Sequence, residues 1–339
     1  MKRSHLIAAL FAVFTLNSNL QAALITIDWV TVGDPGNSAD TTGYGAVANS
    51  FRIMKFEFTN QQYADFLNAV ASTDPYSLYN TVMSSNVRGG ITRSGSSGSY
   101  TYSVKPNMGD KPVNYMSWFD AARVANWLQN GQGSGSTETG AYTLSGAEPG
   151  IAVAVNPGAL YFLPTEDQWY KAAYYKGGST NAGYWDYATQ SDTAPTAVTA
   201  GSTGIGSAGN TGNFANFNKG ADWNGQDGNV TTVGSNGGAS AYGAFDMSGN
   251  MDEWNDLDGL PPSGEESLRG VRGGAWGSGA SDLSSSGRLT FGPTFQPNTI
   301  GFRLASPVAA PIPEPGTWAA MAIFAAGAAY AGWRRRRRA

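Results

Sequence analysis

Two carboxylates seven residues apart, Asp246 and Glu253, flank the Ser-Gly-Asn turn of "YGAFDMSGNMDEWND", residues 242 to 256. The chain has no cysteine and one histidine, His5, so beyond its first residues no Ser–His or Cys–His nucleophile pair can be built. Reactive chemistry would have to come from carboxylates acting as acid and base. Glu166, Asp167 and Asp282 are further candidates, but no spacing singles them out, and Glu166 and Asp167 open a helix, where carboxylates commonly serve the dipole. A carboxylate holding backbone N–H groups in an Asx-type turn is the alternative for Asp246.

Those residues sit in a chain of 339, long enough for a sizeable core at 41% hydrophobic residues. Only 14% of residues are charged while 45 are glycine, so the surface must consist largely of Ser, Thr, Asn and Gly loops. That suits a secreted protein.

Both ends agree. "MKRSHLIAALFAVFTLNSNLQAA" has a basic start, an apolar run from Leu6 to Leu16 and small residues at Ala22 and Ala23, the layout of a signal peptide over 1–22. At the other end "PIPEPGTWAAMAIFAAGAAYAGWRRRRRA" carries Pro313-Glu314-Pro315, an uncharged run from Thr317 to Trp333 and five arginines. As a helix that run covers about 25 Å, near the lower limit for crossing a membrane, and the arginines set its end on the cytoplasmic side. Residues 311–339 resemble a PEP-CTERM sorting signal. The resemblance implies a Gram-negative bacterium, export, anchoring in the inner membrane and an exosortase-type processing partner, with the cell surface or the extracellular space as destination.

Removing Lys2, Arg3 and the five terminal arginines from 21 basic residues, and Glu314 from 25 acidic ones, leaves 14 against 24, a body near −10. Such a body repels nucleic acid and anionic lipid.

Three helices can be read between the signals. In "TNQQYADFLNAVA" Tyr63, Phe66, Leu67 and Val70 fall at helical spacing, with Thr59 or Asn60 as cap. In "SWFDAARVANWLQNG" Ser117 caps, Asp120 answers, Ala121, Val124, Ala125 and Leu128 make a buried stripe, and Gly131 ends it. In "PTEDQWYKAAYYKGG" Thr165 and Gln168 form a capping box with Trp169, Ala172 and Ala173 inward. The remainder reads as short strands such as "FRIMKFEFT" and long loops at 84–103, 130–158 and 177–212, which need something to pin them.

The blocks "FRIMKFEFTNQQYADFLNA", "KPVNYMSWFDAARVANWL", "YFLPTEDQWYKAAYY", "GAFDMSGNMDEWND", "VRGGAW" and "NTIGFRLA" resemble, in order, those of the formylglycine-generating enzyme (sulfatase-modifying factor) family over residues 25–305. The resemblance implies one α+β domain of C-type-lectin-like fold, low in regular secondary structure, rich in long loops and stabilised by calcium. In it Asp246 and Glu253 give side-chain oxygens, and Gly249 and Met251 carbonyls, to one calcium. A second site maps onto Asn216 and Asp227 as side-chain ligands with Phe217 and Asn229 through their carbonyls. Mixed carboxylate and carbonyl cages suit calcium, which takes roughly 6–8 oxygen ligands. Trp254, Trp276, Arg272 and Arg303 read as packing and bracing groups, and Gly273 and Gly274 as points of close backbone approach.

The sequence departs from the family at its catalytic metal. The family binds copper through two cysteines after the "RGG.W" block; here Ser278 and Leu283 stand there, and a hydroxyl and an isobutyl group cannot replace the thiolates that select Cu(I). Related iron enzymes use histidines, which the body lacks, so neither copper nor iron is expected. Two functions remain open. One is an exported, non-catalytic module that binds an envelope protein or exopolysaccharide. The other is an enzyme of the formylglycine-generating or nonheme iron family using an unrecognised site.

Overall fold

The computed structural model describes residues 24–145, 153–257 and 268–308. The signal peptide at 1–22 and the sorting segment at 311–339 lie outside the described residues. Among those described, no helix is long and apolar enough to cross a membrane.

In chain order the elements are β1 (Trp29–Val32), β2 (Phe51–Met54), α1 (Asn60–Val70), α2 (Val82–Ser85), β3 (Ile91–Ser94), β4 (Thr101–Val104), α3 (Trp118–Gln129) and α4 (Glu166–Tyr174). Then follow β5 (Thr196–Ala197), β6 (Phe214–Ala215), β7 (Asp252–Asn255), β8 (Arg269–Arg272), α5 (Ala280–Leu283), β9 (Leu289–Phe291), β10 (Ile300–Gly301) and β11 (Ala305–Pro307). β1, β2 and β11 form one antiparallel sheet, with Ile53 opposite Val30 and Ala305. A second sheet runs β10-β7-β8-β9 with β10 parallel to β7. This α+β, loop-rich arrangement is the expected one, although the expected loop at 84–103 contains the hairpin β3–β4.

All three expected helix starts form as reciprocal caps. Thr59 and Gln62, Ser117 and Asp120, and Thr165 and Gln168 each exchange side-chain bonds with the other's backbone N–H. This satisfies donors that the first helical turn leaves without partners. The helix α3 carries more than the expected stripe: every residue from Trp118 to Leu128 is buried. Its polar members are consequently paired inside the core. Arg123 Nε donates to Glu138 at 2.7 Å, and Asn126 donates to Thr137 O and accepts from Tyr142 N, each at 2.7 Å. Buried amides also pin loops, since Asn60 Nδ2 donates to the carbonyls of Met108, Lys111 and Pro112.

One core cluster packs α1 and α3 against Trp254, Ile300 and Phe302; another gathers Trp169, Tyr170 and Tyr174 of α4 over Phe51 and Ile53. The buried cap Asp120 has a pKa raised to about 6, mainly by loss of hydration, against the opposing bonds from Ser117. A carboxyl whose folded-state pKa lies above its unfolded value stabilises the fold fully below the unfolded pKa, and that contribution is lost as pH rises through 6. Relative to Asp120→Asn, the wild type is therefore expected to lose up to about 3 kcal/mol between about pH 4 and pH 7. Urea midpoints for both proteins across that range measure it, and a difference constant with pH would exclude Asp120 as the titrating group.

Candidate functional site

The turn 246–253 is built by left-handed backbone and close approach. Asp246 and Asn250 take left-handed φ values, 57° and 66°, a region that Asp and Asn enter more readily than other non-glycine residues. Gly249 has φ 90°, and a Cβ on it would lie 2.6 Å from Asn216 O. Asn250 N donates to that same carbonyl at 2.8 Å. The two expected cation loops therefore lie side by side.

Beyond the turn, Glu253 enters β7 wholly buried. Arg303 meets it with two parallel bonds, Nε to Oε2 and Nη2 to Oε1, each 2.6 Å, and Trp169 Nε1 donates to Oε2 at 2.7 Å. Arg303 also donates to the carbonyls of Met54 and Phe245, joining the sheet of β2 to the turn. Asp246 accepts from Gly234 N at 2.6 Å and from Asn236 Nδ2 at 2.9 Å.

A third carboxylate, unnoticed in the sequence, joins this pair. Glu57, wholly buried at the end of the β2 segment, accepts from Asn250 Nδ2 at 2.7 Å through Oε2, while its Oε1 has no hydrogen-bond partner. Burial first, then the charges of Asp246 and Glu253, push its carboxyl well above the usual range, against Arg303 and Asn250. Burial likewise raises Asp246. Three buried carboxylates thus face one guanidinium, a surplus of negative charge that a low-dielectric interior tolerates poorly.

The donors meet a calcium ion's chemistry only in part. Glu57 Oε1 and the buried Asn216 Oδ1 are unpartnered oxygens linked through Asn250, whose Oδ1 accepts from Asn216 Nδ2 at 3.1 Å. Asn216 Nδ2 also donates to Asn229 O at 2.9 Å, and Phe217 O accepts from Gly220 N. Asp227 is not brought to them: its side chain is 76% exposed and pairs with Lys219 at 3.4 Å. Gly249 O accepts from Met251 N. Among the described residues no three acidic side chains converge as a ready metal cage. A calcium held here would draw on Asp246, Glu57, Asn216 and backbone carbonyls of the turn, with Glu253 already bound to Arg303.

The positions that the resemblance gives to the family's thiolates lie beside this turn, where Ser248 Oγ donates to Leu283 O at 3.1 Å. Leu283, at the end of α5, is fully buried against Ala215 and Phe217. Gly274 approaches it so closely that a Cβ would fall 2.5 Å from Leu283 Cδ1, at φ 71°. Ser278 Oγ accepts from Ala275 N at 3.0 Å. The carboxylates considered as acid and base are tied up as well. Glu166 is gripped by Arg272 and Arg288, Asp167 accepts from Gly45 N at 2.7 Å, and Asp282 accepts from Gly279 N at 3.1 Å. Arg272 and Arg303 brace the fold, and Trp254 and Trp276 are buried, as read from the sequence.

Immediately after Leu283 the chain turns along an open pocket of about 870 Å³. Arg272 holds this rim by donating to the carbonyls of Ser285 and Gly287. Tyr175, Tyr184, Trp185 and Tyr187 supply aromatic walls; Asp40, Asp186 and Asp192 supply carboxylates. Its volume falls within the roughly 300–1,000 Å³ usual for small-molecule sites. Of the motif blocks only the one ending at Tyr175 reaches it; the other walls come from the loops at 38–42, 180–194 and 284–286.

The sequence profile of the sulfatase-modifying factor enzyme 1-like domain matches residues 33–308, and that of the PEP-CTERM protein-sorting motif matches residues 311–337. Among solved structures, CarF superposes with a TM-score of 0.52 at 22% identity, covering 84% of this chain and 99% of CarF. Variable protein 1 of Treponema denticola gives 0.51 at 17% identity, covering 84% and 97%. At these identities the likeness is one of fold. No curated protein matches the chain.

Proposed function

The chain belongs to the sulfatase-modifying factor family, with its C-type-lectin-like fold and a PEP-CTERM sorting motif, and from that premise we propose an exported, calcium-stabilised module that binds an envelope ligand without catalysing a reaction. The motif supports export, membrane-anchored sorting in a Gram-negative bacterium and processing by an exosortase-type system. The cell surface or extracellular space is the destination in this reading, and the aromatic pocket beside α5 is the ligand site.

The observation that carries the proposal is the side chain of Leu283. It is an apolar group with no donor atom, fully buried where the family resemblance places a thiolate. Ser278, at the other position, spends its hydroxyl on Ala275 N. Neither can serve a soft Cu(I) ion. Calcium's part is structural: bound to oxygens of the 246–253 turn, it would offset the surplus carboxylate charge that Arg303 alone leaves.

Incubating the protein with copper, reductant, oxygen and a sulfatase-type cysteine peptide should leave the peptide mass unchanged. Conversion of the cysteine to an aldehyde above a protein-free copper control would overturn the non-catalytic reading.

A further inference from the structure

The pocket beside α5 has two kinds of wall, and together they specify a ligand class. We infer that it binds an oligosaccharide of amino sugars carrying free amines, stacked on Trp185 with its ammonium groups directed to Asp40 and Asp186. This deepens, and rests on, the reading of that pocket as a ligand site.

The first observation is that two residues of the pocket wall, Trp185 and Asp192, already meet an ammonium of the protein's own. Lys176 Nζ lies 4.2 Å from the centroid of Trp185 and 3.9 Å from Asp192 Oδ2. An ammonium between an aromatic face and a carboxylate gains from both the ring quadrupole and the charge. Asp192 is thereby matched, and its Oδ1 also accepts from Asp186 N at 3.1 Å. Two carboxylates on the same walls remain beyond that pair, Asp40 and the exposed Asp186. The pocket walls are thus acidic even with Asp192 matched by Lys176, within a body near −10 that disfavours anionic polymers.

The second observation is preorganisation. Asp40 is held by Tyr170 Oη and by Thr42, whose backbone N–H donates at 2.6 Å. Tyr184 Oη donates to Ser38 O at 2.8 Å and accepts from Asn37 Nδ2 at 2.7 Å, and its ring meets Tyr175 edge-on at 4.9 Å. Aromatic walls fixed in this way can receive a ligand with little loss of side-chain freedom. Hydroxyls at Ser284 and Ser286 also border the pocket, where Ser284 pairs along the backbone with Tyr187. Flat apolar faces, neutral hydroxyls and carboxylates in one concavity match a sugar ring that bears hydroxyls and an amine. An aliphatic or acidic ligand would leave the carboxylates desolvated without a partner.

Titration calorimetry of the purified protein tests this with four probes: a β-1,4-linked glucosamine tetramer, its fully N-acetylated form, a neutral glucose tetramer and a lysine- and arginine-rich peptide. The glucosamine tetramer should bind, roughly tenfold or more tightly than the N-acetylated and neutral forms, and more weakly as salt rises. Asp186→Asn, at an exposed position that leaves the fold intact, should weaken it roughly tenfold, and Trp185→Ala should weaken all three saccharides together. Equal binding of the three saccharides would overturn the amine assignment while leaving the pocket as a ligand site. Binding of the basic peptide alone, or of no probe, would overturn the saccharide assignment. None of these results bears on the cysteine-peptide assay, so a failure here and a failure of the non-catalytic reading are separable.

Discussion

Replacing Arg303 by Leu is expected to destabilise the protein by about 3–5 kcal/mol, the cost of leaving one member of a buried ion pair without its partner. Glu253 is wholly buried and takes both of its short charge-assisted bonds from this guanidinium. Loss of Arg303 would leave its carboxylate beside Glu57 and Asp246 with only the Trp169 N–H in attendance. The same side chain donates to Met54 O and Phe245 O, so its removal also breaks bonds that join the sheet of β2 to the turn. Since a domain's whole stability is about 5–15 kcal/mol, a loss of this size threatens folding at 37 °C. Pairing Arg303→Leu with Glu253→Gln should recover part of it, because the second change removes the stranded charge. Urea unfolding with an unchanged slope reads both effects. A single variant within about 1 kcal/mol of wild type would show that the pair contributes little.

Calcium at 1,000 times its dissociation constant is expected to add about 4 kcal/mol to the folded state, if it binds that state alone. The thermal midpoint should rise accordingly and fall on addition of a chelator. Asp246→Ala should remove most of the rise. Glu57→Gln is the more discriminating variant, since it keeps the bond to Asn250 Nδ2 through an amide oxygen and removes one of the surplus charges. It should reduce calcium's effect and leave the calcium-free protein as stable as wild type or more so, because a buried neutral amide needs no counter-ion. Asp227→Ala, altering a carboxylate that faces solvent, should change neither. An identical wild-type melt with calcium and with chelator would mean that the turn holds no metal.

These expectations draw on different lengths of chain, and that difference separates what the sequence could reveal from what it could not. Capping boxes depend on partners three residues away, so the residue types alone determine them: those at Ser117 and Thr165 form as read, and of the two caps left open for the first helix, Thr59 is the one used, with Gln62 as its partner. The absence of thiol and imidazole ligands from the body was equally plain, because no folding can supply a residue type that the sequence lacks. The hairpin β3–β4 was less visible in the Gly/Ser/Thr-rich segment, where pairing of Arg93 with Tyr102 and packing of Ile91 outweigh weak local preference. The α3 stripe was legible, but its burial on every side was not, since Glu138 and Thr137 neutralise polar groups that by spacing alone belong to solvent. Likewise Glu57 meets the turn at Asn250, 193 residues along the chain, and no local pattern distinguishes it from a strand-end glutamate. Asp227 shows the converse: a plausible ligand by order in the sequence, it is turned outward to Lys219 while its own carbonyl binds Arg88. The pocket belongs wholly to tertiary structure, because loops at 38–42, 180–194 and 284–286 have no periodicity to read and acquire a common concavity only when Arg272 and Glu166 fix the last of them against α4.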